Sequence, residues 1–265
     1  MEDAVQEDYI PKLGLNSPVR EFCMKNLATT ICLMIAVLLD CNLAISEEFK
    51  TISTRKDVTI SFIESTPLKP IQAAAILFAG GDGNIGIDVN NKTVGSDNFL
   101  VRTRELFSEL GILTITPDAP SDMEYLKNIR NSLDYRTDIS FLIKEINNKT
   151  TKPIWLIGTS RGSNTIGYHA PGLKIQGVAL TATVTEGNND TILDTDFKKI
   201  MVPTLVVHNK SDLCHVSPSW GAEIVFKQLP QTSRKHLLLF DHDGGSHGRD
   251  CGATTPHGFL GIEKR

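Results

Sequence analysis

Pro153-Ile154-Trp155-Leu156-Ile157-Gly158-Thr159-Ser160-Arg161-Gly162-Ser163 decides the reading of this chain. Ile154 to Ile157 form a short apolar run closed by Pro153 on one side and Gly158 on the other. A run of that length between breakers reads as a buried strand. It enters Gly-Thr-Ser-Arg-Gly, and a helix-compatible stretch follows. This is G-x-S-x-G in the context that gives the pattern its chemistry: a strand-to-helix turn that strains a serine and exposes its hydroxyl. Glycine stands on either side because a side chain there would collide with the tight turn. Ser160 is therefore the candidate nucleophile. The competing reading is a glycine-rich turn with an incidental serine.

The flanking chain repeats the same alternation. Strands are expected over Asp57–Ile63, Ala73–Ala79, Ile112–Ile115, Gly177–Thr181, Thr204–His208 and His236–Phe240. Helical spacing marks Asn98–Leu110, Tyr135–Ile146 and Ala222–Leu229. Strands alternating with helices predict an α/β fold with a mostly parallel sheet and helices on both faces. The spacings leave room for little or no cap domain, and Asp118–Tyr135 is the longest candidate flap. Asn91, Asn148 and Asn189 begin Asn-x-Thr triplets, read here as chance.

Two further segments supply partners for a serine. Val202-Pro-Thr-Leu-Val-Val-His-Asn-Lys-Ser-Asp212 reads as a buried strand ending in an acid. Thr255-Pro-His257-Gly-Phe-Leu-Gly-Ile-Glu263 carries a histidine. Serine, then acid, then histidine is the triad order of the α/β-hydrolase superfamily. Together with its cysteines, the chain resembles small secreted bacterial α/β-hydrolases, which carry G-T-S-R-G, D-x-C after the acid strand and C-x(5)-H-G-[FY] at the histidine. The resemblance runs from about Ile76 to Glu263.

That resemblance implies a serine hydrolase of carboxylesterase type. Ser160 would attack, His257 would act as base and then acid, and Asp212 would hold the imidazole. Oxyanion donors would be the backbone N–H of Arg161 and one from the loop after the early strand, Gly81 first and Asp82 second. His247, soon after the last strand, is the rival for His257. Asp241 and Asp243 are rivals for Asp212, better read as solvated loop acids. His208 reads as structural. Asp118 and Asp122 read as solvated loop acids with a lesser claim to line the pocket. Only eight residues follow His257, short for the closing helix the superfamily usually has, which implies either an incomplete chain or a looser histidine loop, for which a Cys214–Cys251 bridge would partly compensate. The alternatives in function are a serine peptidase or amidase, and a hydrolase-fold binding protein without turnover.

At 265 residues the chain suits one catalytic domain, residues 47–265, behind an N-terminal leader, residues 1–46. Residues 27–39 are mostly apolar, too short for a bilayer-spanning helix of about 20 residues. Lys25 precedes them and Ala44-Ile45-Ser46 follows, the pattern of a secretory signal peptide. Met24 makes a natural start, so residues 1–23 could be a mis-assigned extension. Cleavage after Ser46 removes Cys23, Cys32 and Cys41, and leaves Cys214 and Cys251. An even pair in an oxidising compartment predicts a disulfide, with two free thiols as the alternative. The protein is expected to be periplasmic or secreted and to meet a membrane only through the leader. Its net charge of −4, without a basic cluster, argues against nucleic acid. A small acyl substrate is the expected partner. No cofactor and no metal is expected, since two isolated cysteines lack zinc-ligand spacing.

Overall fold

A computed structural model describes residues 46–127, 129–187, 190–231 and 234–264. The expected leader, with Cys23, Cys32 and Cys41, lies outside the described residues, as does Asn189. The described residues form ten strands: β1 (Ser46–Arg55), β2 (Val58–Thr66), β3 (Ala73–Phe78), β4 (Ile87–Asp88), β5 (Thr93–Val94), β6 (Ile112–Pro117), β7 (Ile154–Thr159), β8 (Gly177–Thr181), β9 (Thr204–Asn209) and β10 (Lys235–Phe240). Five α-helices among the described residues join them: α1 (Phe99–Arg102), α2 (Arg104–Glu109), α3 (Leu133–Asn147), α4 (Gly162–His169) and α5 (Ser219–Gln228). The main sheet has the order β1-β2-β6-β3-β7-β8-β9-β10. The pairs from β6 to β10 are parallel, and β1 with β2 and β2 with β6 are antiparallel. The β4–β5 pair stands apart as a small ribbon.

The central strands show why both faces need cover. Along β3, Ala74, Ile76 and Phe78 face one way, into a core with Tyr135, Ile139 and Leu142 of α3, Ile166 of α4 and Val225 of α5. Ala75 and Leu77 face the other way, against Leu100 of α1 and the half-buried Phe107 of α2. Side chains alternate across a strand, so a strand apolar on every residue is stable only between two layers. At the carboxyl end of β8, the second layer is completed by the C-terminal segment, where Phe259 and Ile262 pack on Ala182.

Three departures from the sequence reading have physical causes. The helix expected over Asn98–Leu110 is two short helices. Thr103 separates them with φ −103° and ψ 3°, its N–H and its hydroxyl both bonding Phe99 O, at 3.1 and 2.6 Å. β1 was not expected, because its apolar residues Phe49 and Ile52 are three apart and break the two-residue alternation of a strand. Pairing with β2 across the whole hairpin holds it, and Arg55 bonds the fully buried Asp138 of α3 at 3.0 Å. The segment expected as a flap, between Asp118 and Tyr135, lies down on the body: Leu126 and Arg130 are buried. The acids there are not simply solvated. Asp118 accepts from the N–H groups of Ile85, Ile87 and Ala119 at 2.7–2.9 Å, and Asp122 takes both Arg55 Nη groups at 2.8 Å. Both carboxylates are structural ties rather than pocket walls.

Candidate active site

β7 ends in the turn that carries Ser160. Its φ is 52°, the left-handed region that costs a non-glycine residue strain, and its N–H is held by Thr181 O at 2.9 Å. The flanking glycines are required by contact. A Cβ at Gly158 would lie 2.5 Å from Gly162 O, and one at Gly162 would lie 2.1 Å from Phe78 O. α4 starts at Gly162, directly behind the serine, so its free N–H groups open toward the same place.

β9 delivers the acid. Asp212 is buried; its Oδ1 accepts from Cys214 N at 2.8 Å and its Oδ2 from His257 Nδ1 at 2.8 Å. Burial pushes the Asp212 carboxyl up. Hydrogen bonds from His208 and His257 and from the Cys214 N–H more than offset this, and hold it below the ordinary aspartate value. His257 sits in a 3₁₀ turn, Pro256–Gly258, capped by the Thr255 hydroxyl, which accepts from the His257 N–H at 3.2 Å. With Nδ1 committed to Asp212, Nε2 is the free ring nitrogen. Ser160 and His257 line one small pocket of about 40 Å³ with Gly80, Gly81, Asn98, Phe99, Cys251 and Ala253. The two side chains do not hydrogen-bond each other here. Catalytic hydrogen bonds are often long without substrate and tighten in the complex.

The other expected residues fall as follows. Gly81 is on the pocket wall and Asp82 is exposed next to it, while Arg161 is the first residue after the serine. The N–H groups of Gly81, Asp82 and Arg161 have no protein acceptor among the described residues. The Arg161 side chain turns to Asp190 at 3.3 Å. His247 is an exposed loop residue tied to Thr254 through its backbone, and does not reach Asp212. Asp241 and Asp243 are exposed.

Two contributors were missed. Gly80 is needed for close approach: a Cβ there would sit 2.8 Å from Ser160 Cβ. The glycine run in the sequence was the available signal, read for oxyanion donors at Gly81 and Asp82 and not for the close approach of Gly80. His208, read only as structural, lies fully buried with Nε2 3.2 Å from Asp212 Oδ2 and 3.1 Å from Ser217 O. Both neighbours are acceptors, so Nε2 carries the proton. The bond to Ser217 is the better aligned, and the carboxylate is its second acceptor.

The histidine loop is held from two sides. Cys214 and Cys251 have their sulfurs 2.06 Å apart, in bond, which joins the acid loop to the segment before His257. Arg102 of α1 donates to Ala253 O at 3.1 Å and Gly258 O at 2.6 Å, and pairs with Glu263 at 2.9 Å. These ties correct the expectation of a loose loop. Asp212, Cys214 and His257 bring ligand-type atoms within 4.8 Å of one another. The cysteine sulfur is in the disulfide, and Asp212 Oδ2 and His257 Nδ1 hold each other.

No protein-family model matches the sequence, and no curated protein matches it. Solved structures do match. An alpha-beta serine hydrolase homologue from Coxiella burnetii is 15% identical, covering 72% of this chain and 86% of that one, with a TM-score of 0.55. A dienelactone hydrolase from Anabaena variabilis is 16% identical over 75% and 87%, at a TM-score of 0.54. An α/β serine hydrolase without lid, from Xanthomonas campestris, is 14% identical over 72% and 84%, at 0.51. The chain thus has the α/β-hydrolase fold, without a large cap.

Proposed function

We propose that this protein is a serine hydrolase that cleaves carboxylic esters through an acyl-enzyme, with Ser160, His257 and Asp212 as its triad. One observation carries the reading. A buried carboxylate holds His257 Nδ1 at 2.8 Å, leaving Nε2 for the pocket in which the strained Ser160 stands. Fold alone would not support it, because this fold hosts many functions.

The steps follow from those roles. His257 Nε2 takes the Ser160 proton while Oγ bonds to the substrate carbonyl carbon, and the carbonyl oxygen becomes an oxyanion. Backbone N–H groups of Arg161 and of the Gly81-Asp82 loop receive that charge; one such donor is typically worth about 10²–10³ in rate. The carbon–oxygen bond to the alcohol then breaks, and His257 returns the proton to the leaving alcohol. Water repeats the sequence on the acyl-enzyme, releasing the acid and restoring the serine. Sites that enclose drug-sized ligands measure roughly 300–1,000 Å³. The pocket here, about 40 Å³, suits an acyl group of acetyl size. The disulfide fits work in an oxidising compartment, so we place the mature protein in the periplasm or outside the cell.

A fluorophosphonate probe on wild type and Ser160→Ala tests the class. Labelling of wild type alone is expected, with an unchanged circular dichroism spectrum in the variant. An unlabelled wild type would favour a binding protein. A panel of p-nitrophenyl esters and aminoacyl anilides then separates esterase from peptidase. Acetate should be cleaved fastest, and faster turnover of octanoate or of the anilides would overturn the short-acyl reading.

A further inference from the structure

Arg130 is the most expensive residue in the molecule that the triad leaves unexplained. It is 1% exposed, and no carboxylate pairs with its guanidinium among the described residues. Its Nη1 donates to Thr165 Oγ1 at 3.0 Å, its Nη2 donates to Gly81 O at 2.7 Å, and its Nε has no partner. Arginine does not shed its charge, and an unpaired charge in the interior is strongly unfavourable. The acids at longer range are already occupied or wet. Asp190 is engaged by Arg161 and Asn164, and Asp82 is exposed.

What Arg130 touches identifies its use. Thr165 is on α4, the helix behind the serine, and Gly81 is the tip of the loop that walls the pocket. Gly81 has φ +60° in a turn closed by Gly83 N to Gly80 O at 3.2 Å, and a Cβ on it would meet nothing within 4 Å. Two carbonyls hold that tip: Gly81 O accepts from Arg130, and Asp82 O accepts from Leu126 N at 2.7 Å. In a trans peptide the C=O and the following N–H point in opposite directions. Drawing Gly81 O inward therefore turns the Asp82 N–H outward. Arg130 is itself anchored, since His169 Nε2 donates to its backbone oxygen at 2.5 Å.

We propose that Arg130 is the positioning residue of the oxyanion loop, and that the counter-charge missing from its surroundings is the oxyanion formed during turnover. The guanidinium orients and polarises the Gly81–Asp82 amide through its carbonyl, and adds a preorganised positive charge behind the place where negative charge develops. Such charge acts on the transition state more than on the neutral substrate. The inference rests on the serine-hydrolase reading above.

Arg130→Met and Arg130→Lys test it, with p-nitrophenyl acetate as substrate and an aryl trifluoromethyl ketone as inhibitor, whose serine adduct carries the oxyanion. A correctly folded Arg130→Met should lose about 10²–10³-fold in kcat, the range for a lost oxyanion donor, with KM within about threefold. The inhibition constant of the ketone should rise by a similar factor. Arg130→Lys keeps the charge but cannot bond Gly81 O and Thr165 together, so it should regain about tenfold of that loss and stay below wild type. Wild-type kcat in folded Arg130→Met, or a kcat loss with unchanged ketone affinity, overturns the proposal. If Arg130→Met does not fold, Arg130→Lys decides: kcat and ketone affinity must fall together, and wild-type constants overturn it. Fluorophosphonate labelling of wild type separates the two readings. A labelled wild type with an unaffected Arg130 variant sinks this inference alone, and an unlabelled wild type sinks both.

Discussion

His208 reaches the same carboxylate oxygen of Asp212 as His257 does, at 3.2 Å against 2.8 Å. Three donors thus surround one buried carboxylate: the two imidazoles and the Cys214 N–H. Donors fix the direction of the lone pairs, so His208 sets how squarely Oδ2 faces His257. They also draw charge from Asp212, which tempers its pull on the imidazolium. Orientation should be the larger effect, since a misplaced carboxylate leaves His257 free to rotate. His208→Ala should lower kcat about tenfold with KM little changed. It should also reduce stability by about 1–3 kcal/mol, because Ser217 O loses its buried donor. His257→Ala should cost several orders of magnitude in kcat. Steady-state kinetics on the two variants checks the order, and a His208→Ala enzyme as crippled as His257→Ala would place His208 in the proton path.

At the scale of elements, the triad depends on three loops that share no secondary structure. The serine turn is flanked by β7 and α4, the acid loop follows β9, and the histidine turn is flanked by neither a strand nor an α-helix. The Cys214–Cys251 bond and the Arg102 contacts replace the support an element would give. Reduction should therefore affect activity as well as stability. A loss of about 2–4 kcal/mol is expected for a loop of this order, together with a fall in kcat. Arg102→Ala should act in the same direction, more weakly, because it releases Gly258 and Ala253 but leaves the bridge. Denaturant melts and ester turnover with and without reductant check this. Full activity after complete reduction would show that the histidine turn stands without the bridge. This contrast also explains what could be read from the chain. The inner strands were legible because two-sided burial writes an unbroken apolar run, as in Ile154–Ile157. Ser160, Asp212 and His257 could be proposed from the chain because such chemistry is tied to short local patterns. β1 was not, since an edge strand that wins its place by pairing and by Arg55–Asp138 needs no alternation. Arg130 and His208 were not, since each acts through a residue 49 or 4 positions away, and nothing local marks such a contact.

For the whole molecule, one buried histidine outside the triad makes stability depend on pH on the acid side. His169, in the last turn of α4, is 1% exposed between Tyr135, Arg136 and the Arg130 backbone. Burial lowers its pKa from 6.5 to about 4; the bond to Arg130 O works against this shift and the nearby Arg136 charge adds to it. The folded state therefore keeps His169 neutral where the unfolded chain would protonate it. Between about pH 6.5 and 4 the unfolded chain binds more protons, so stability must fall as pH falls through that window and level off below it. At ~1.4 kcal/mol per unit, the loss is at most about 3.5 kcal/mol. Asp212 acts lower still. Its carboxyl is held below 3.8, so its contribution is complete above that value and is lost as pH drops through the folded one. The two groups thus separate in pH. Replacing His169 with Gln, which offers an amide N–H to Arg130 O, should flatten the slope between pH 6.5 and 4 and leave the drop below it. Urea melts of wild type and His169→Gln at half-unit pH steps give the measurement. Equal wild-type stability at pH 6.5 and 4.5 would show that the folded protein accepts a proton at His169. The junction between α4 and the Arg130 backbone would then be open to water, and the buried charge that we assign to the oxyanion loop would be screened by it.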